Sequence, residues 1–366
     1  MGEHGEKSGS PTRARVDDLL AQYRRGQRQL AEDWLSRQSR IPDLLYHYTT
    51  AQGLLGIVDG RSLWASDVRY MNDSSELTYA AGLIEAVTRE FVSKPEYSAV
   101  RAILPGGIDV ADHVRSGLRP FIACFCEEQD LLSQWRGYGA GQAAFSLGLD
   151  LGSIVRAGAL PSKTYLRQVV YEEEEQRALL TVALELWLGM SLKNLETRGL
   201  EPSDLFPYPA IWALQETLAE YCLSFKHPTF AEEREWRLIK LVDVREESAL
   251  RADSRDEQVP GAAARRDQEA GGDDRSSQSI DWTAGPAEGV EINFRPSTLG
   301  LVPYVNLPIR NSNGPFAGRL PLRRVTQGPA ANPALALESL RMFLDSNGFG
   351  FPTDVTHSAI PLRPHQ

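Results

Sequence analysis

Apolar positions along this chain switch between two periods. From Val16 to about Ser39, the residues Val16, Leu19, Leu20, Tyr23, Leu30, Trp34 and Leu35 recur at helical spacing among Arg and Gln, which predicts one amphipathic helix. Its arginines Arg24, Arg25 and Arg28 read as a solvated face rather than a nucleic-acid arm. Pro42 ends it. "LLYHYT" then reads as a strand. Thr49 and Gln52 have the spacing of a capping box, so a short helix starts at Thr49 or Thr50 and runs to Asp59, with Gly60 in the left-handed position after it. "SLWAS" is a second strand. "RYMNDSSEL" leads into a helix with Asp73 as N-cap and Glu76 as its reciprocal partner, and Leu77, Ala80, Ile84, Val87 and Phe91 supply the stripe.

Further on, "RPFIACFC", "AAFSLGL" and "KTYLRQVVY" are strand-like, with a polar, glycine-rich loop from Asp130 to Gly141 between the first two. Helices follow over 173–193 and 203–226, and "FAEEREWRLIKLV" passes from a turn into a strand. "GVEINFR", "LVPYVNLPI", "LRRVTQGP" and "DVTHSAIPL" continue the strands, with a helix over 332–346. Residues 244–287 are rich in Arg, Asp, Ser, Gly and Ala and poor in aromatics, the signature of a disordered or poorly packed insertion. The expected organisation is therefore a disordered tail over 1–15, an N-terminal helix over 16–40, and one α+β domain built from 41–243 and 288–366.

Composition narrows the functional classes. The 366 residues carry a formal net charge of −10, which argues against coating nucleic acid by bulk electrostatics. No apolar run approaches the roughly 20 residues of a membrane helix, and the first residues lack the apolar core of a secretory signal. Three cysteines (Cys124, Cys126 and Cys222) imply a reducing, cytoplasmic setting. Cys124 and Cys126 share a strand face and read as buried structural thiols. The histidines lie far apart, without the spacing of a metal site, and neither a Walker lysine loop nor a GxSxG elbow occurs.

Three clusters carry candidate chemistry. In Tyr46-His47-Tyr48-Thr49, alternation puts the tyrosines on one face and His47 on the other, beside a helix start suited to an anion. The competing reading is a core histidine between buried tyrosines. In "DLLSQWRGYGAG", Arg136 could meet a phosphate and an aromatic ring could stack on a ligand; equally, Trp135 could plug the core and Arg136 pair with a carboxylate. In "FAEEREWRLI", an extended chain aims Glu233, Glu235 and Arg237 to one face and Trp236 and Leu238 to the other. A carboxylate there could stabilise a cationic transition state; the duller reading is an ion-pair ladder with Arg234 and Arg237.

In combination, the Y-H-Y-T strand, "RYMNDSSEL", "ACFCEEQDLLSQWRGYG", "EREWRL", "FRPSTLGLVPYV" and "SAIPLR" resemble a bacterial family known only as domain of unknown function 2971, over Leu44 to Arg363 apart from the insertion. The chain departs from it in carrying Cys126 where the family usually has Ser. More loosely, the order of a histidine strand, a helix, a middle strand with a polar loop and a late glutamate strand is similar to the ADP-ribosyltransferase superfamily. That resemblance implies a mixed, mainly antiparallel sheet with flanking helices, and NAD as substrate without a metal. It places His47 at the NAD ribose, Glu235 as the catalytic glutamate with Glu233 completing E-x-E, and Ser133 at the middle position. Tyr48 or Tyr70 would stack on nicotinamide, Arg69 or Arg136 would neutralise the pyrophosphate, and Thr49, Gln134 and Trp135 lie in the same binding set. The implied activity is ADP-ribosyl transfer, or NAD glycohydrolysis, in a toxin or anti-phage effector. Its acceptor would be a protein or nucleic acid, an antitoxin partner fits the same role, and no membrane is involved. The alternatives are a non-catalytic nucleotide- or protein-binding module and a metal-independent nuclease.

Overall fold

The structure, a computed structural model, describes residues 13–71, 75–101, 118–139, 143–198, 209–243, 290–297, 300–311, 317–350 and 353–361. Ten strands form one sheet: β1 (Leu45–Thr50), β2 (Leu63–Asp67), β3 (Leu118–Cys126), β4 (Ala144–Leu149), β5 (Thr164–Gln168), β6 (Glu235–Asp243), β7 (Ile292–Ser297), β8 (Gly300–Leu307), β9 (Leu322–Gln327) and β10 (Asp354–His357). The main path runs β10-β9-β4-β1-β3-β2-β8-β7, with β6 on the other side of β3 and β5 beyond β6. Every pairing is antiparallel except β9 with β10. The eight main helices are α1 (Arg13–Arg37), α2 (Ala51–Gly60), α3 (Ser75–Ser93), α4 (Leu132–Tyr138), α5 (Leu151–Arg156), α6 (Glu173–Arg198), α7 (Pro209–Cys222) and α8 (Pro333–Ser346). The class is α+β, with a mixed, mostly antiparallel sheet.

Both faces of the central strands are covered. Ile122 of β3 and Ile239 and Leu241 of β6 meet α1, α3, α6 and α7 through residues such as Tyr23, Ile84, Trp187 and Leu218. Phe125 of β3, Leu147 of β4 and Trp236 of β6 meet α2, α5 and α8 through Leu54, Ile57, Ile154 and Leu340. This is why "RPFIACFC" is nearly continuously apolar: a strand buried on both sides has no solvent face to mark with polar residues. Each fully buried large side chain in these layers contributes roughly 1.5–3 kcal/mol by leaving water. α6 is long and apolar enough to cross a membrane by length and composition, unlike the sequence expectation. Here its Leu179, Leu180, Ala183, Leu184, Trp187 and Leu188 sit in the core.

Several local expectations change. The N-cap of α2 is Thr50, whose hydroxyl accepts from Gly53 N–H, and not Thr49; the left-handed residue after it is Arg61 (φ 47°), not Gly60. Residues 132–138, expected in a loop, form α4, with Leu131 at the N-cap and no side-chain cap. Glu233 ends a 3-10 turn (Pro228–Glu233), and the left-handed Arg234 separates it from β6, so the extended stretch starts at Glu235. The helix over 173–193 extends to Arg198, and the next one spans Pro209–Cys222. The expected cap Asp73, most of the tail over 1–15 and the insertion over 244–287 lie outside the described residues.

One irregularity organises the rest of the molecule. β1 and β2 both run antiparallel to β3 along the same edge, but β1 touches its end and β2 its middle. Cys126 pairs with Tyr46 of β1, whereas Ile122 and Phe121 pair with Ser66 and Asp67 of β2. Between these contacts, at residues 123–125, the two strands part and the sheet has a slit. α2 connects the two diverging strands.

Candidate functional site

The slit is filled from β1. Cys124 lies midway between the two paired positions, and its carbonyl accepts from Nδ1 of His47 at 2.8 Å. A carbonyl can only accept, so the proton sits on Nδ1 and the neutral ring keeps Nε2 as an acceptor. Burial lowers the His47 pKa, partly offset by that hydrogen bond, and the charge of Arg295 lowers it further. The ring also tilts against Phe125, with centroids 5.5 Å apart.

The flanking tyrosines are fixed by packing. Tyr46, Tyr48, Cys126, Trp135 and Ala144 form a small core of their own. Tyr48 donates to the Glu128 carbonyl and accepts from Leu131 N–H, both at 2.9 Å. Its ring meets Trp135 edge-on and stacks toward Tyr138 at 6.4 Å. Desolvation raises the pKa of Tyr138, as do the nearby thiols and Glu235, while Arg295 opposes the shift. Tyr138 therefore lies within electrostatic reach of both β6 and β7.

Arg295 comes from the other wing. It sits half-buried on β7 and donates to Ser66 Oγ on β2 at 2.9 Å. Burial lowers its pKa, with Tyr138 and Tyr304 opposing the shift. No carboxylate is paired with it among the described residues. Tyr304 lies opposite Ser66 in the β2–β8 ladder, and its ring packs on Trp64 at 4.6 Å. In the sequence, "FRPSTLG" is only part of a family-like pattern. Nothing local signals that its arginine reaches over β8 to Ser66 of β2.

The glutamate strand is a different structure. Glu235 is 3% exposed. Arg237 Nε donates to Glu235 Oε1 and Nη2 donates to Oε2, each at 2.9 Å, and Lys226 Nζ reaches Oε2 at 3.1 Å. Glu76 bridges the same two cations, at 2.9 Å to Lys226 and 2.6 Å to Arg237. Glu233 meets Lys226 at 2.7 Å. Three carboxyls thus face two cations, and the titrations of Glu233 and Glu235 are driven apart. Burial pushes Glu235 up, but Arg237 and Lys226 overcome it and hold the pKa at about 2. Burial raises Glu233, and the attraction of Lys226 only partly opposes that. Burial alone would lower the Lys226 and Arg237 pKa values, but the carboxylates raise both. The arrangement is an ion cluster, with Glu76 and Lys226 in addition to the Arg237 foreseen from the sequence. Arg234 instead pairs with Glu128 at the surface.

Register settles the relation between His47 and Glu235. Tyr46, Cys126 and Glu235 lie opposite one another across β1, β3 and β6 and share a face. His47 alternates to the other face, with Phe125 and Trp236. Cys124 stands between, its carbonyl on His47 and its thiol on the Glu235 face, where burial first and the carboxylate next raise the thiol pKa. By register the two residues therefore start from opposite faces of the sheet.

The remaining expected residues are scattered. Thr49 is buried beneath α2, where its hydroxyl fills the space beside Gly53. Arg69 is held by Asp67, through Nε at 2.9 Å and Nη2 at 2.6 Å. Tyr70 is 36% exposed next to it. On α4, Trp135 is fully buried, Arg136 is exposed, Gln134 is half-buried, and the Ser133 hydroxyl is buried with no partner among the described residues. Cys124, Cys126 and Cys222 are free thiols with raised pKa values, and burial is the first cause of each. Among the described residues, no group of three or more His, Cys, Asp or Glu is placed to hold a metal ion.

The segment from α4 through the first part of β6 is the one that comparison recognises. Residues 134–238 match the family DUF2971, described as a protein of unknown function. The DUF2971 match includes Gln134–Tyr138, Lys226, Glu233, Glu235 and Arg237, and leaves out His47 and Arg295. Neither the curated proteins nor the solved structures contain a match to this chain.

Proposed function

We propose that this DUF2971 protein binds a nucleotide-like anion at the slit between β1 and β2, and that NAD is the first ligand to test. One observation carries the reading: Arg295 is a half-buried cation bonded to a hydroxyl, at the break in the sheet, with no carboxylate partner among the described residues. A guanidinium in that state gains from a phosphate what water no longer supplies. The neutral His47, whose Nε2 has no partner among the described residues, suits a sugar hydroxyl. The rings of Trp64, Tyr304 and Tyr138 offer faces for a base. NAD, as opposed to another nucleotide, comes from the resemblance to ADP-ribosyltransferases.

A second reading, ADP-ribosyl transfer or NAD hydrolysis, is favoured by the opposed titrations of Glu233 and Glu235. On that reading the acting carboxyl is Glu233, whose side chain is 20% exposed, because both Glu235 oxygens are occupied. A toxin or anti-phage role, with a protein or nucleic-acid acceptor, belongs to this second reading.

Calorimetric titration with NAD and ADP-ribose, alongside measurement of nicotinamide release, separates the two. Binding without release is expected, weakened about 10- to 100-fold by Arg295→Gln, as for loss of one charge-assisted hydrogen bond. Release that disappears in Glu233→Gln would establish the transferase or hydrolase reading. No binding by the unmutated protein, or unchanged binding by Arg295→Gln, would sink the slit as the site.

A further inference from the structure

We infer that the segment Ser358–Ile360 is a strap that fixes α4, and with it Tyr138, against the slit. A single carboxylate makes the join. Asp130 Oδ1 accepts from Trp135 Nε1 and from Ser358 Oγ, each at 2.6 Å, and Oδ2 accepts from Ala359 N–H at 2.9 Å. The strap is anchored on its other side too. Ser358 N–H donates to the Gln327 carbonyl at 2.7 Å, which continues the β9–β10 ladder by one step. Ile360 N–H donates to Ser358 Oγ at 3.1 Å, and the Ile360 side chain packs on the cluster around Tyr48 and Trp135.

α4 needs such a fastening. It is seven residues long and has no side-chain N-cap. A helix that short has almost no stability of its own in water. Its position is set by the burial of Trp135, by Leu131 N–H on Tyr48, and by Asp130. The two acidic bonds to the strap tie it to the far edge of the sheet, 228 residues along the chain. Asp130 is therefore a positioning residue: it orients Trp135, and α4 in turn delivers Tyr138 to the group of residues around Arg295. The consequence for ligand binding rests on the nucleotide reading above; the mechanical part does not.

Native-state hydrogen exchange on the full chain tests it. Ser358→Ala, which removes the bond to Asp130 and the one from Ile360 N–H, is expected to speed exchange of the amides over 132–139 about 5- to 10-fold, with β3 and β6 unchanged. Asp130→Asn should do more, because three donors lose their carboxylate. Ser358→Thr, which keeps the hydroxyl, should restore protection. Unchanged exchange in α4, equal acceleration in every segment, or no rescue by threonine would overturn the strap. NAD affinity measured on the same variants should fall several-fold with Ser358→Ala. Faster exchange in α4 with unaltered NAD affinity would overturn the link to the slit. Absence of NAD binding in the unmutated protein would defeat the nucleotide reading, and the exchange data would then decide the strap alone.

Discussion

Glu235 shows what a single residue's surroundings can do to its chemistry. In sequence it stands one residue from Glu233, and alternation with Trp236 and Arg237 was legible. Its true partners were not, since Glu76 meets Arg237 from 161 positions away and Lys226 arrives from the stretch after α7. The carboxylate's pKa falls from its ordinary 4.5 to about 2, so its contribution to stability is full above pH 4.5 and is lost as pH drops toward 2. Glu233 has the opposite sign: its raised pKa makes the ionised form the unfavourable one, so its cost is relieved as pH falls. Glu235→Gln should therefore flatten the acid limb of a stability-versus-pH curve between pH 4.5 and 2. At neutral pH it should cost on the order of 3 kcal/mol, because two buried cations lose a partner. Urea melts at a series of pH values read both effects, and an unchanged acid limb would remove the ion cluster from the account.

Elements were read well where periodicity was strong and poorly where capping decided the matter. The stripe in α3 and the run in β3 needed no tertiary information. α4 escaped because its seven residues contain one buried side chain and no polar N-cap, while glycines at 137 and 139 suggested a loop. Helix α2 depends on a contact that sequence does not show. A methyl group added at Gly56 would lie 1.9 Å from Cζ2 of Trp64, whose ring is held on Tyr304. Gly56→Ala should consequently displace either the helix or the indole and cost about 1–3 kcal/mol, despite the better helix propensity of alanine. Denaturant midpoints measure it; a stabilised variant would show that the helix and Trp64 are not in contact. The same displacement would disturb the Trp64–Tyr304 pair on which the nucleotide reading draws.

Across the whole molecule, the α+β class followed from the alternation of strand and helix patterns, while the sheet's split did not. Strand order depends on pairings such as β2 with β8, which join residues more than two hundred positions apart. This is also why the expected convergence of His47 and Glu235 could not be checked from sequence: alternation within each strand is local, but the relative face of two strands passes through β3. The DUF2971 match over 134–238 contains β5 and the first part of β6 without β3, and α6 and α7 without α1 or α3. Cut out at those limits, β6 would lose its longest pairing, from Leu118 to Cys126, and Trp236 would lose Phe125 beside it. The isolated fragment should fail to give a cooperative thermal transition by circular dichroism, whereas the full chain should give one. A fragment that melts cooperatively would mean the matched region is a domain in its own right.

The parting of β1 from β2 leaves an unfinished seam inside the sheet, where a backbone acceptor is served by a side chain instead of a neighbouring strand. Open seams are adhesive, and proteins ordinarily guard them at their margins. Here the guard is one imidazole at an interior position. An aliphatic replacement at residue 47 would therefore leave the Cys124 carbonyl bare even in a protein that never meets a ligand, making that histidine as much a stopper against unwanted pairing as a reagent.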